Sequence, residues 1–188
     1  MRKLIVFNHI SLDGYFTGEN GDFRWAHTGN DDPEYAAFVA GNAGGDGQLL
    51  FGRITYDLMA GYWPTAMAKQ HDPVVAKGMN NMQKVVFSRN MDKALWNNTK
   101  LVKTDIVSEI KKMKNESGPG MVIMGSGSII SQLAPEQVID EYQIIVNPLA
   151  LGKGRTMFEA MGKMLSLKLM STRAFQNGKV LLRFEPGK

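Results

Sequence analysis

The chain contains no cysteine, which excludes disulfides, thiolate metal centres and a cysteine nucleophile and leaves any redox chemistry to a bound cofactor in a reducing compartment. Its three histidines, His9, His27 and His71, share no metal-ligand spacing, so no zinc site is expected. No apolar run approaches the roughly 20 residues that span a bilayer. The opening MRKLIVFNHISLDG carries two cations but no small-residue cleavage site, and reads as a first strand rather than a signal peptide. A cytoplasmic protein with no membrane segment is the expectation. Serine is plentiful, yet there is no Gly-x-Ser-x-Gly elbow, since Gly125-Ser126-Gly127 is one residue too short. A Walker motif is also missing, as is the third glycine of the dinucleotide fingerprint. Lys and Arg give a net charge of +4, but they are scattered, with no basic helix carrying interleaved aromatics. Nucleic acid is therefore not an expected partner, and mild basicity suits an anionic small molecule.

What is present describes an ordinary folded domain. Of 188 residues, 44% are hydrophobic and 21% charged, enough to bury one core in a single domain over residues 1–188. The 13 methionines read as fillers of core gaps. Lys3 to Phe7, Gln48 to Phe51, Lys84 to Phe87 and Met121 to Met124 are short apolar runs bounded by Gly, Ser or charge, the pattern of buried central strands. Helical patterns lie between them: Pro33 to Ala40, Thr55 to Ala60, Pro73 to Asn80, and Ile106 to Lys114, with a Gly-rich loop from Gly41 to Gly47. Alternating strand and helix predicts a mostly parallel sheet covered on both faces. The last third differs. Ile139 to Val146 alternates as a strand, and Leu165 to Ala174 and Val180 to Phe184 flank Gln176-Asn177-Gly178, a hairpin signal because Asn-Gly accepts positive φ. The sheet is expected to be mixed, with an antiparallel C-terminal hairpin.

Four segments fall at strand ends, where an open α/β sheet places its ligand. Ser11-Leu12-Asp13-Gly14-Tyr15 is either an Asp-Gly turn or part of a site. In Gly52-Arg53-Ile54-Thr55, Gly52 admits close backbone approach, Arg53 offers a fork for phosphate, and the Thr55 hydroxyl lies near helix-terminal amides; the alternative is a simple cap and a solvated cation. Ser88-Arg89 is either an exposed loop or a clamp for the extra phosphate on the adenosine ribose of NADPH. Gly125-Ser126-Gly127-Ser128-Ile129 joins a buried strand to an apolar helix start, a turn suited to pyrophosphate. Gly152-Lys153-Gly154-Arg155 reads as a solvated turn or a contact for substrate phosphate.

In order, SLDGYFTG, FGRITYD, VVFSRN, VIMGSGSIISQL and IVNPLALGKGRTMFE resemble the dihydrofolate-reductase-like family. They are most similar to the reductase domain of riboflavin-biosynthesis deaminase-reductases and its stand-alone relatives, over roughly Lys3 to Phe184. The resemblance implies a three-layer α/β/α fold around about eight strands. It implies NADPH as cofactor, its phosphates by Gly52, Arg53 and Thr55, its adenosine end by Ser88 and Arg89, and its pyrophosphate at Gly125, Ser126, Gly127, Ser128 and Ile129. Leu12, Gly14 and Tyr15 would flank the nicotinamide. The implied reaction is hydride transfer to a riboflavin-pathway aminopyrimidine, as in 5-amino-6-(5-phosphoribosylamino)uracil reductases, or else to a folate-like pterin. A nucleotide-binding module without turnover is the non-enzymatic alternative. Asp13 and Glu34 are the candidates for substrate contact or proton delivery. Glu34, within Asn30-Asp31-Asp32-Pro33-Glu34-Tyr35, stands where folate enzymes carry their pterin-binding acid, but it also reads as an acid favoured in a helix's first turn. The entry to that helix is Gly21-Asp22-Phe23-Arg24-Trp25, without the Pro-Trp of folate enzymes. A homodimer is expected, as relatives form.

Overall fold

The apolar runs become the middle of the sheet. In the computed structural model, which describes residues 1–28 and 31–187, the strands are β1 (Leu4–Ser11), β2 (Tyr15–Thr17), β3 (Gln48–Gly52), β4 (Lys84–Phe87), β5 (Thr99–Val102), β6 (Met121–Met124), β7 (Glu141–Asn147), β8 (Arg155–Thr156), β9 (Leu167–Ala174) and β10 (Val180–Pro186). The helices are α1 (Pro33–Ala43), α2 (Arg53–Tyr62), α3 (Ala66–His71), α4 (Pro73–Asn81), α5 (Ile106–Asn115) and α6 (Gly127–Leu133). Gly29, Asn30 and Lys188 fall outside the described residues, so the expectation for the Asn30 to Tyr35 region is followed from Asp31 onward. Eight strands form one sheet in the order β5-β4-β3-β6-β1-β7-β10-β9, and β2 and β8 form a separate ribbon. Pairing from β5 to β7 is parallel, while β10 runs antiparallel to β7 and β9 to β10.

Strand alternation divides the core between two faces. Leu4, Val6, Leu50 and Ile123 face Ile106, Ile110 and Met113 of α5 and Ile129, Ile130 and Leu133 of α6. Leu49, Phe51 and Val86 turn the other way, toward Tyr56 of α2 and Ala76 and Met79 of α4. On that second face α1 places Tyr35 beside Ile145 and Phe175.

Three expectations change. The helix from Pro33 does not stop at Ala40 but runs to Ala43, through residues assigned to the Gly-rich loop. Ala43 is buried against α4, where a Cβ on Gly78 would lie 1.9 Å from the Ala43 carbonyl oxygen, so close helix packing overrides the local glycine signal. At the hairpin only Gly178 takes positive φ, +81°; its N–H bonds the Phe175 carbonyl at 3.0 Å. The turn is therefore of the kind with one left-handed residue, and Asn177 does not need that conformation. The third change is addition: β5, α3 and the β2–β8 ribbon were not among the expected elements. The two-residue β8 exists because Arg155 and Thr156 pair with Thr17 and Tyr15.

Candidate active site

β3 and β6 are neighbours in the sheet, yet α2, which follows β3, and α6, which follows β6, pack on opposite faces. Their departure in opposite directions opens the crevice at the carboxyl edge of the sheet that ligands of open α/β folds occupy. Gly52 and Gly125 are the last residues before these turns, and the two turns are bonded to each other. The Gly52 N–H donates to Ser126 Oγ at 2.7 Å, and the Ser126 N–H donates to Thr55 Oγ1 at 3.1 Å. Ser126 holds this place with φ +59° and ψ 60°, a left-handed conformation uncommon outside glycine. A Cβ on Gly52 would stand 3.2 Å from Ser126 Oγ, and one on Gly125 would stand 2.7 Å from Thr55 Cγ2. The glycines expected to admit a ligand therefore also admit each other's turn.

Asn8, a polar residue within β1 that sequence reasoning passed over, completes the arrangement. Its Oδ1 accepts from the Gly125 N–H at 2.7 Å, and its Nδ2 donates to Met157 Sδ at 3.0 Å. Of the backbone donors expected at the glycine turn, those of Gly125 and Ser126 are thus engaged, and the Ile129 N–H is engaged with the Ser126 carbonyl at 2.8 Å. The Gly127 and Ser128 amides make no hydrogen bond among the described residues. α2 likewise starts without a side-chain cap. Arg53, on its first turn, is 53% exposed, with Asp57 at 3.3 Å as its carboxylate neighbour. Unmatched helix-start amides and an exposed guanidinium are groups of the kind a phosphate takes, although Arg53 also pairs with Asp57. Thr55 also ties the two turns, its Oγ1 accepting the Ser126 N–H.

Ser88 and Arg89 follow β4. The Ser88 Oγ accepts the Met91 N–H at 3.1 Å and shapes the turn, whereas Arg89 is exposed. On the other side of the crevice, the loop after β1 is fastened to the loop after β7. Asp13 accepts from the Ser11 hydroxyl at 2.6 Å, from the Leu151 N–H at 3.1 Å and from the Gly152 N–H at 2.7 Å. The Ser11 hydrogen bond, opposed by a desolvation cost and aided by the Gly152 and Leu151 amides, holds this carboxyl down to about 2. It is an anion at neutral pH with its oxygens taken up, so geometry gives it a loop-fastening task. Leu12 is exposed and its N–H donates to the Leu149 carbonyl at 2.8 Å; Gly14 has φ +87°; Tyr15 begins the ribbon. Both cations of the Lys153–Arg155 turn are paired, Lys153 with Glu19 at 3.0 Å and Arg155 with Glu159.

Glu34 lies on the first turn of α1 in an ion pair with Arg173 of β9 at 2.6 Å. Behind it, Tyr35 is buried beside His9 of β1. Burial, reinforced by the nearby Lys179 and His27, pushes the His9 imidazole down to about 3. Neither Tyr35, His9 nor Lys179 stood out in the sequence; a histidine inside a first strand was the only visible signal.

The comparisons agree with this architecture. The model of the RibD C-terminal domain matches residues 2–181. The uncharacterized protein YyaP of Bacillus subtilis (strain 168) is 28% identical over 183 residues, covering 95% of this chain and 92% of that protein. Among solved structures, dihydrofolate reductase from Enterococcus faecalis, complexed with NADP(H), superposes with a TM-score of 0.67 at 16% identity, covering 99% of this chain and 97% of the other. A diaminohydroxyphosphoribosylaminopyrimidine deaminase/5-amino-6-(5-phosphoribosylamino)uracil reductase from Thermotoga maritima gives 0.69 at 14% identity, with 99% of this chain matching 57% of that longer one. With eight strands in a mixed, mostly parallel sheet, helices on both faces and the family's model matched along nearly its whole length, the chain belongs to the RibD C-terminal domain family and has the dihydrofolate-reductase-like fold.

Proposed function

We propose that the protein is an NADPH-dependent reductase that passes hydride to a small nitrogen heterocycle of the aminopyrimidine class. The observation that carries this reading is the pair of bonded turns at the crevice, Gly52–Thr55 and Gly125–Ser128, with unmatched amides at Gly127 and Ser128 on one turn and the exposed Arg53 guanidinium on the other. NADPH would lie across the carboxyl ends of β3, β6 and β1, its pyrophosphate on the Gly127 and Ser128 amides, with Arg53 and Arg89 toward its remaining phosphate. The hydride chemistry belongs to that cofactor. The chain's own task is to hold the two turns in register through Thr55, Ser126 and Asn8, and to fix the loop flanking the reacting ring through Asp13.

Arg53→Ala tests this directly. Loss of a charge-assisted contact worth about 1.5–3 kcal/mol weakens NADPH binding about ten- to a hundredfold, while thermal stability stays unchanged because the side chain is exposed. Unchanged NADPH affinity overturns the assignment, and so does failure of the wild-type protein to bind NADPH in a calorimetric titration.

We propose a homodimer as well, formed through the outer edge of β9. Every residue of this strand after Leu167 is exposed, including Leu169 at 51% and Met170 at 54%, and an open strand edge is a template for pairing. Sedimentation as a monomer at micromolar concentration removes this part.

A further inference from the structure

The dipeptide Asn-Gly occurs twice in the chain, at Asn20-Gly21 and at Asn177-Gly178. It is the pair most open to one spontaneous reaction, attack of the glycine backbone nitrogen on the asparagine side-chain carbonyl carbon, because a glycine has no Cβ to shield that nitrogen. The sequence makes the two sites equal. The tertiary structure does not.

Asn177 sits in the turn between β9 and β10 with its reacting groups held. Its N–H donates to Asp32 Oδ2 at 3.1 Å, its Oδ1 accepts the Lys179 N–H at 3.0 Å, and the attacking nitrogen, that of Gly178, donates to the Phe175 carbonyl at 3.0 Å. The Phe175 N–H closes the hairpin on the Lys179 carbonyl at 2.9 Å, and Pro148 crowds Gly178 on one side, 3.2 Å from where a Cβ would stand. Asn20 differs on each count. It is exposed, and its side chain makes no hydrogen bond among the described residues. Its backbone stands at φ +59° and ψ 19°, a left-handed conformation that disfavours residues with a Cβ. The Gly21 N–H reaches the Gly18 carbonyl at 3.2 Å, and nothing lies within 4 Å of where a Gly21 Cβ would stand. Rotation about ψ of Asn20, which carries the Gly21 nitrogen onto Cγ, therefore breaks one long hydrogen bond and leaves an unfavourable backbone conformation, in open solvent.

We propose that Asn20 is a site of spontaneous deamidation in the folded protein, and that Asn177, with the same following residue, is protected by its turn. The Gly21 nitrogen gives its proton to solvent and bonds to Asn20 Cγ; the Cγ–Nδ2 bond breaks, and ammonia leaves with a proton taken from water. The product is a five-membered succinimide. Water then opens the ring, at Cγ to leave an aspartyl residue, or at the backbone carbonyl to leave an isoaspartyl residue joined to Gly21 through Cγ. Either product adds a carboxylate next in the chain to Glu19, whose ion pair with Lys153 at 3.0 Å fastens this turn to the loop between β7 and β8. The isoaspartyl form also adds a carbon to the main chain within Gly18–Asp22, where the Asp22 carbonyl accepts the Gly18 N–H at 2.8 Å and Trp25 Nε1–H at 3.1 Å. Trp25 therefore reports the change. The reaction needs neither cofactor nor substrate, so it stands apart from the reductase reading.

The test is incubation of the wild-type protein at mildly alkaline pH, native and in urea, followed by digestion and mass spectrometry of the two Asn-Gly peptides, with chromatography separating aspartyl from isoaspartyl forms. In the native protein Asn20 should react at least about tenfold faster than Asn177, the margin set by the hydrogen bonds that the Gly178 turn must break. In urea, where both turns are lost, the two rates should converge. Equal native rates overturn the inference, as does an Asn20 slowed by folding as much as Asn177. A difference that persists undiminished in urea also overturns it, because neighbouring residues rather than the fold would then set the rates. Ageing should shift the Trp emission of the wild type and leave that of Asn20→Gln unchanged, since the longer side chain cannot close the five-membered ring; the same shift in Asn20→Gln rejects the assignment to this turn.

Discussion

Gly125→Ala probes the junction of the two turns most severely. The new Cβ must sit in a left-handed backbone conformation, φ +63°, which costs about 1–2 kcal/mol for an L residue. It must also sit 2.7 Å from Thr55 Cγ2 and 2.8 Å from Thr55 Oγ1, inside normal contact distance, and relief by displacement of α2 or α6 costs about 1–3 kcal/mol more. A loss of about 2–5 kcal/mol is expected, or a fall in Tm on the order of 10 °C for a chain of this length. A double-mutant cycle separates the two causes. Thr55→Ala removes both contacting atoms, at about 1 kcal/mol for the lost hydrogen bond from the Ser126 N–H. In the Gly125→Ala/Thr55→Ala protein the overlap is gone and only the backbone cost remains, so the double variant should be at least about 1 kcal/mol more stable than additivity requires. Urea unfolding followed by circular dichroism gives the four free energies. Simple additivity, or a Gly125→Ala protein as stable as the wild type, refutes the stitched-turn geometry.

The other predictions concern charge. Because the His9 imidazole sits at about 3 against an ordinary 6.5, the unfolded chain binds a proton that the folded chain refuses; stability falls as pH drops from about 6.5 toward 3. His27, also lowered by burial, adds to the same fall. His9→Gln should flatten the slope between about pH 6.5 and 5, above the range where most carboxylates titrate, and an unchanged slope in urea unfolding counts against the depressed imidazole. Burial holds Lys84 at about 8 against 10.5, so stability should rise as pH climbs from 8 toward 10. Lys84→Met removes part of that rise, with Lys179, also at about 8, supplying the rest; identical profiles for variant and wild type would contradict this. Asp13→Asn weakens the acceptor of the Leu151 and Gly152 amides, and those two amides should exchange hydrogen faster while Tm stays unchanged. Exchange rates equal to wild type would remove the loop-fastening role.

Much of this protein was legible because its signals are local. A buried strand four residues long, Lys84–Phe87 or Met121–Met124, shows as an apolar run between polar residues. A helix such as α5 shows in apolar residues recurring at helical spacing, Ile106, Ile110 and Met113. The turns at Gly52 and Gly125 stood out because a glycine between a strand and a helix is itself a local event, and five such segments in order were enough to indicate the family. What each turn residue does was not legible. Thr55 and Ser126 are 71 positions apart, and Asp13 and Leu151 are 138 apart. Whether a hydroxyl meets a phosphate or a neighbouring turn depends on which strands the sheet order makes adjacent. Lys179 carries the same point furthest. In the sequence it is one cation among 22 Lys and Arg residues, and its burial against the Ala26 carbonyl and the Tyr35 ring is created only by the packing of the hairpin onto α1. The sequence by itself determined the elements and their order, because propensity and capping act within a few residues. The tertiary structure decided which donors remain unmatched, because a hydrogen bond is made or missed only when distant segments are brought within about 3 Å.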